Sequence, residues 1–242
     1  MVDLPDLVGH PAFPTTLEAL VAGSGGTVMD AARAALERDE AVRYVAKKAR
    51  ILTPLFPTSL LSPDALDGAR AIVAPEDEVA WPTDAAWLNY EPKVAAVIAR
   101  GGRSLTTEEA RERVFGYTLV SDWAAQDSSG APLSTAEGLP IAIGPCVITA
   151  DEVEPGTMFV GLKVDGEPLA KGNLNGAARS LFGLISAASQ LGELEPGDAF
   201  ALTPFGGLGP DPSRQLWPGA TIELAAEGIG TLRNRLGTRR DD

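Results

Sequence analysis

Residues 89–127 read NYEPKVAAVIARGGRSLTTEEARERVFGYTLVSDWAAQD. In a strand, side chains alternate between faces, so Asn89, Glu91 and Lys93 share one face, with Tyr90 and Pro92 on the other. Residues 94–98 are wholly apolar, the pattern of a strand buried on both sides. Gly101 and Gly102 permit a turn. Thr106 followed by Glu109 is a capping box, and Glu108 and Glu109 suit the positive helix N-terminus. The spacing predicts a helix to about Phe115, stopped at Gly116. A short strand over 117–120 then delivers Asp122 and Trp123 to its end. An acid and an amine two residues apart on one strand, with a second acid at the end of a neighbouring strand, make a polar site.

Working outward, 242 residues suffice for one substantial core with a small N-terminal appendage. The formal net charge of -13 disfavours nucleic acid or an anionic membrane as partner. The single cysteine, Cys146, excludes an internal disulfide and fits a reducing compartment. Its apolar PCVIT setting reads as a small buried residue rather than a nucleophile. The opening Met1-Val2-Asp3 is acidic and no signal peptide is visible. No apolar run approaches the roughly 20 residues of a spanning helix. A cytoplasmic protein is expected.

The first fourteen residues read as irregular, punctuated by prolines. Short helices are expected over 16–21 and 27–36, and strand-like sequence from about Ile51. The acids Glu76, Asp77 and Glu78 read as a solvated loop. Asp165-Gly166 between apolar runs is a hairpin signal. Residues 175–191 read as an amphipathic helix that buries Leu181, Leu184, Ile185 and Ala188.

The central stretch resembles the fumarylacetoacetate hydrolase superfamily, whose core pattern is roughly D-Y-E-x-E-L-A-V-V-I-G, a T-x-E-E-A helix, then G-Y-T-x-x-N-D-W-S-A-R-D. PIAIGPCVITADEV, LEPGDAFALTPFGGLGP and LWPGATIELAAEGIGTLRNRL are similar to later blocks of that family, in the same order. Upstream, ILTPLFPTSLL is similar to its entry into the main domain. The resemblance implies an α+β, mainly β fold: a mixed β-roll with a few short peripheral helices. It divides the chain into a small N-terminal helical region, 1–52, and a catalytic domain, 53–242. Relatives are usually homodimers, so a homodimer is expected.

The family holds a divalent cation, commonly Mg or Mn, on two Glu of the E-x-E strand and the Asp of its N-D-W motif. Gapless alignment puts the first Glu at Glu91 and the Asp at Asp122, with Lys93 in place of the second Glu. A register two residues over would offer Asn89 and Glu91 instead, but it breaks the match of VAAVIARGG. A hard cation wants oxygen ligands, and a fixed ammonium repels it. The expectation is therefore no metal cofactor, with Glu91 and Asp122 as ligands if one is present. The family's catalytic His and Lys have no counterpart: His10, the only histidine, lies far upstream, and SSGAPLSTAEGL holds no lysine.

What the resemblance implies for function is an enzyme acting on a 1,3-dicarbonyl or 2-oxo acid through an enolate-like intermediate: C–C cleavage, isomerisation or cyclisation. Lys93 would stabilise the negative charge and Glu91 or Asp122 would carry the proton. Tyr90, Trp123, Lys171, Asn173, Thr203 and Gly206 are the substrate-binding candidates. Two alternatives stand beside this reading. One is an inactive binding or scaffold protein in which Lys93, Glu91 and Asp122 form a structural salt bridge. The other is a conventional metal-dependent hydrolase or decarboxylase.

Overall fold

In the computed structural model, which describes residues 4–23, 27–37, 50–62, 71–133, 139–176, 181–204 and 215–238, the apolar run lies in a twelve-residue strand, β4 (Trp87–Ile98). Residues 94–98 are buried on both faces, as their unbroken apolarity requires. Antiparallel to it runs β5 (Val114–Gln126), which pairs with nearly the whole of β4. Around these two a six-stranded sheet assembles from β1 (Leu60–Leu61), β9 (Ala199–Leu202), β4, β5, β6 (Ile141–Thr149) and β2 (Ile72–Val73), in that order. A second sheet orders β3 (Glu78–Val79), β11 (Gly230–Leu236), β10 (Thr221–Ala226), β7 (Val160–Val164) and β8 (Glu167–Gly172).

One face of the first sheet packs on one face of the second. Tyr90, Val94, Leu119 and Trp123 share a continuous apolar cluster with Val160, Leu162, Leu224 and Leu232. The other face of the first sheet is covered piecemeal. Ala95, Val120, Ile141, Ile143 and Ala201 form a small cluster with Leu60 and Ile72. Further along, Val97 and Phe115 meet Leu55 and Val21. Val21 belongs to α2 (Leu17–Ala22), so the N-terminal helices sit partly on the main sheet.

Several local expectations are met. Thr106 caps α4 (Thr107–Glu112) with the full capping box. Asp165 and Gly166, at φ 49° and 84°, turn β7 into β8 with the two left-handed residues a tight hairpin requires. α3 (Thr27–Leu36) lies where its sequence places it. The helix expected over 175–191 appears as α5 (Leu181–Leu191), burying Leu181 and Ile185 with Leu184 and Ala188 only partly buried, while Leu174–Gly176 form a 3₁₀ turn instead.

Others are corrected. The opening residues include a short helix, α1 (Leu4–Val8). Ile51 is not in a strand, and among the described residues the first extended pairing comes at Leu60. α4 ends at Glu112, and Gly116 is not its stop but a member of β5 opposite Val97. A Cβ at Gly116 would stand 2.1 Å from the Ile148 carbonyl oxygen, so its role is close strand packing. Asp122 accordingly lies inside a long strand rather than at the end of a short one. No helix among the described residues is long and apolar enough to cross a membrane.

Candidate functional site

The β4–β5 register places Glu91 directly opposite Asp122 and Lys93 opposite Val120. Directly opposed residues share a face, so all four project from the side of the sheet turned away from its partner sheet. Lys93 is 1% exposed. Its Nζ lies 2.9 Å from Glu91 Oε2 and 3.2 Å from Asp122 Oδ2. Asp122 is also buried, and its Oδ1 accepts the Trp123 backbone N–H at 2.8 Å. Glu91 differs, because 42% of its side chain is exposed. The result is an ammonium sealed between one buried and one solvent-reaching carboxylate. Opposite-charge contacts at such distances strengthen as water is excluded.

The β4–β9 pairing ends at Val94 and Leu202, so Thr203 follows at the level of Lys93. Thr203 is half-buried there. Tyr90 and Trp123, expected beside the substrate, lie on the opposite face, in the core between the sheets. They are 2% exposed, with ring centroids 6.0 Å apart at 50°. The Tyr90 hydroxyl meets Ser121 Oγ at 2.6 Å, and burial pushes its phenol well above the usual range. This contact ties β4 to β5 next to the Glu91–Asp122 pair. Sequence reading passed over Ser121; its position diagonal to Tyr90, one residue before Asp122, was the available signal.

The remaining candidates are dispersed. Lys171 projects from β8 of the second sheet and Asn173 follows that strand. Gly206 lies outside the described residues. Cys146, expected to be buried, is exposed on β6 and donates to the Ile229 carbonyl at 3.1 Å. Partial burial pushes its thiol up, the opposite of an activated thiolate. His10 accepts the Ala12 N–H at 3.1 Å in an exposed turn. Glu76 grips Arg233 through both carboxylate oxygens, and Asp77 pairs with Arg50.

A divalent cation needs a cluster of oxygen donors with their lone pairs free. Among the described residues no three His, Cys, Asp or Glu side chains converge for one. Glu91 and Asp122 converge on the Lys93 ammonium instead. The described residues at this position do not fit the cation that the resemblance implies.

A mixed β-roll carrying a charged constellation on its central strand pair defines a class, and the sequence places the chain within it. The model of the fumarylacetoacetate hydrolase C-terminal domain matches residues 40–237, and the chain belongs to that family. It is 33% identical over 187 residues to the oxaloacetate tautomerase YisK of Bacillus subtilis, covering 73% of this chain but only 59% of that protein. The fumarylacetoacetate hydrolase of Exiguobacterium antarcticum superposes with a TM-score of 0.79 at 25% identity, covering 98% of this chain and 92% of that one. The maleylpyruvate hydrolase of Sphingobium sp. SYK-6, solved with manganese(II) and pyruvate, superposes with a TM-score of 0.79 at 24% identity, covering 99% of this chain and 93% of that one. At that identity the last likeness speaks for the fold alone.

Proposed function

We propose that this chain is an enzyme that acts on a small 2-oxo acid or 1,3-dicarbonyl compound through an enolate-like intermediate, with the Lys93 ammonium serving where relatives use a divalent cation. The observation that carries this reading is the placement of Lys93 Nζ, 2.9 Å from a solvent-reaching Glu91 and 3.2 Å from a buried Asp122. An ammonium has three N–H donors. Two are directed at these carboxylates, and this reading assigns the third to a substrate oxygen.

In this mechanism Glu91 takes a proton from the carbon beside the carbonyl, and the electron pair left behind moves onto the oxygen held by Lys93. Glu91 then returns the proton to that oxygen in tautomerisation, or to another carbon in isomerisation. Asp122 holds Lys93 in position. Thr203 offers a hydroxyl at the same level of the sheet for a substrate carboxylate. The tautomerase name of the Bacillus relative supports this substrate class.

A second reading is favoured by the near-total burial of Lys93 between two carboxylates. The three charges satisfy one another, as in an inactive binding protein on the same fold. The test is enol–keto interconversion of oxaloacetate, followed by ultraviolet absorbance with and without a chelator. The enzyme reading predicts turnover indifferent to chelator and reduced about 10²–10³-fold in Lys93→Met. Turnover abolished by chelator would overturn the metal-free mechanism. No turnover across a panel of 2-oxo acids and 1,3-diketones would favour the inactive protein.

A further inference from the structure

Beyond the Glu91–Asp122 pair, the β4–β5 register continues with Asn89 opposite Ala124 and Trp87 opposite Gln126. Successive residues on one face of a strand stand about 6.7 Å apart, so these two rows lie one and two steps from Glu91, on its own face of the sheet. All four residues are half-buried rather than sealed in the core. Ala124 carries a single methyl and leaves the nearer row low on the β5 side. Trp87 closes the far end, its indole fixed by the hydrogen bond that Nε1 donates to Gln126 Oε1 at 2.7 Å. Leu216 pairs with Leu88 in the core, so the next residue, Trp217, emerges beside Trp87, and it is 51% exposed.

Charge separates the two ends of this strip. Lys93 supplies a cation at one end, whereas none of Asn89, Ala124, Trp87, Gln126 and Trp217 is ionisable. Next to Gln126 stands an acid, Asp127, whose Oδ1 accepts the backbone N–H groups of Ser129 and Ala131 and the Ser129 hydroxyl. These bonds hold its carboxyl below the usual range, so this end of the strip stays negative at neutral pH. A second carboxylate on a substrate would meet Asp127 with no cation among these residues to balance it. A flat apolar group would meet an indole instead.

We propose, resting on the functional reading above, that Trp87 sets the specificity of that site by receiving a planar, uncharged ring carried on the carbon that Glu91 deprotonates. The preferred substrates are then aryl-substituted 2-oxo acids rather than 2-oxo dicarboxylates. With the substrate carboxylate at Thr203 and the oxo group at Lys93, the ring passes over Asn89 and Ala124 and meets the Trp87 indole. The aromatic wall expected at Trp123 is supplied by Trp87, with Trp217 at its outer edge.

The test measures enol–keto interconversion of phenylpyruvate and of oxaloacetate by ultraviolet absorbance, and the binding of each by calorimetry. Wild type is compared with Trp87→Ala, Trp87→Phe and Gln126→Arg, each checked for folding by circular dichroism. Wild type should favour phenylpyruvate in kcat/KM by about tenfold or more. Trp87→Ala should lower the phenylpyruvate-to-oxaloacetate ratio about tenfold, and Trp87→Phe, which keeps a flat ring, should retain most of it. Gln126→Arg, which places a cation at the far end, should shift the ratio toward oxaloacetate even if Trp87→Ala fails to fold. A wild-type preference for oxaloacetate, or a ratio that no folded variant moves, overturns the inference and leaves the enzyme reading standing. Tighter binding of phenylpyruvate without turnover of either compound, weakened in the Trp87 variants, keeps the ring site and sinks the enzyme reading alone. Neither binding nor turnover overturns both.

Discussion

Lys93 and Arg233 both hold carboxylates, in opposite surroundings. Arg233 bonds Glu76 with 49% and 54% of the two side chains exposed. Lys93 bonds Glu91 and Asp122 with 2% of its own side chain and 7% of Asp122 exposed. Charges in the first pair never leave water, so forming it costs little and contributes little. In the second, Lys93 and Asp122 are stripped of water, at several kcal/mol per ion before their attraction is counted, while Glu91 still reaches solvent. An apolar residue at 93 would avoid that cost on a face where Val120 and Ala95 are its neighbours. The difference teaches that Lys93 is poorly explained as a stabilising device. It sits where this family's resemblance places a cation, and it supplies a positive charge there.

The comparison can be broken most severely at Lys93. Lys93→Met leaves Asp122 buried without its cation, and unfolding in urea should show a loss of about 3–5 kcal/mol. Adding Asp122→Asn should recover most of that loss, because the uncompensated charge is gone. Thr106→Ala, which removes an exposed helix cap, should cost about 1 kcal/mol at neutral pH. Its effect should also depend on acid. Hydrogen bonds from the Thr106 backbone and hydroxyl hold the Glu109 carboxyl below its usual range. A depressed carboxyl stabilises the fold above its unfolded value and loses that contribution as pH falls through the folded one. The difference between wild type and Thr106→Ala should therefore narrow in acid. Arg233→Ala should be smallest, roughly 0–1 kcal/mol and less in high salt.

Much of this was legible in the sequence, for local reasons. The capping box at Thr106 and Glu109 and the Asp165-Gly166 turn are decided by neighbouring residues, and both read correctly. The apolar run 94–98 announced the central strand. Alternation placed Glu91 and Lys93 on one face and Tyr90 on the other, as found. What alternation could not supply was the pairing of β5 with β4. Arg113, Val114 and Phe115 prolong the pattern of α4, so the sequence predicts helix to about Phe115 with Gly116 as its stop. The contact of Gly116 with the Ile148 carbonyl, made by a strand some thirty residues away, decides for strand. That pairing sets Asp122 opposite Glu91 and turns Trp123 into the core. Trp123, expected as a wall of the site, therefore lies in the core between the sheets, whereas Asp122 lies against Lys93. The exposure of Cys146 escaped for the same reason, since its apolar neighbours do not reveal which way a bulged edge of β6 faces.

The most direct test of Lys93 as the resident cation is metal binding itself, by elemental analysis of the purified protein and calorimetric titration with magnesium and manganese, beside Lys93→Glu. The account predicts that the native chain binds neither ion stoichiometrically. The variant, with carboxylates at 91, 93 and 122, should gain one site. Tight binding of one ion per native chain would contradict it and return Glu91 and Asp122 to the role of ligands.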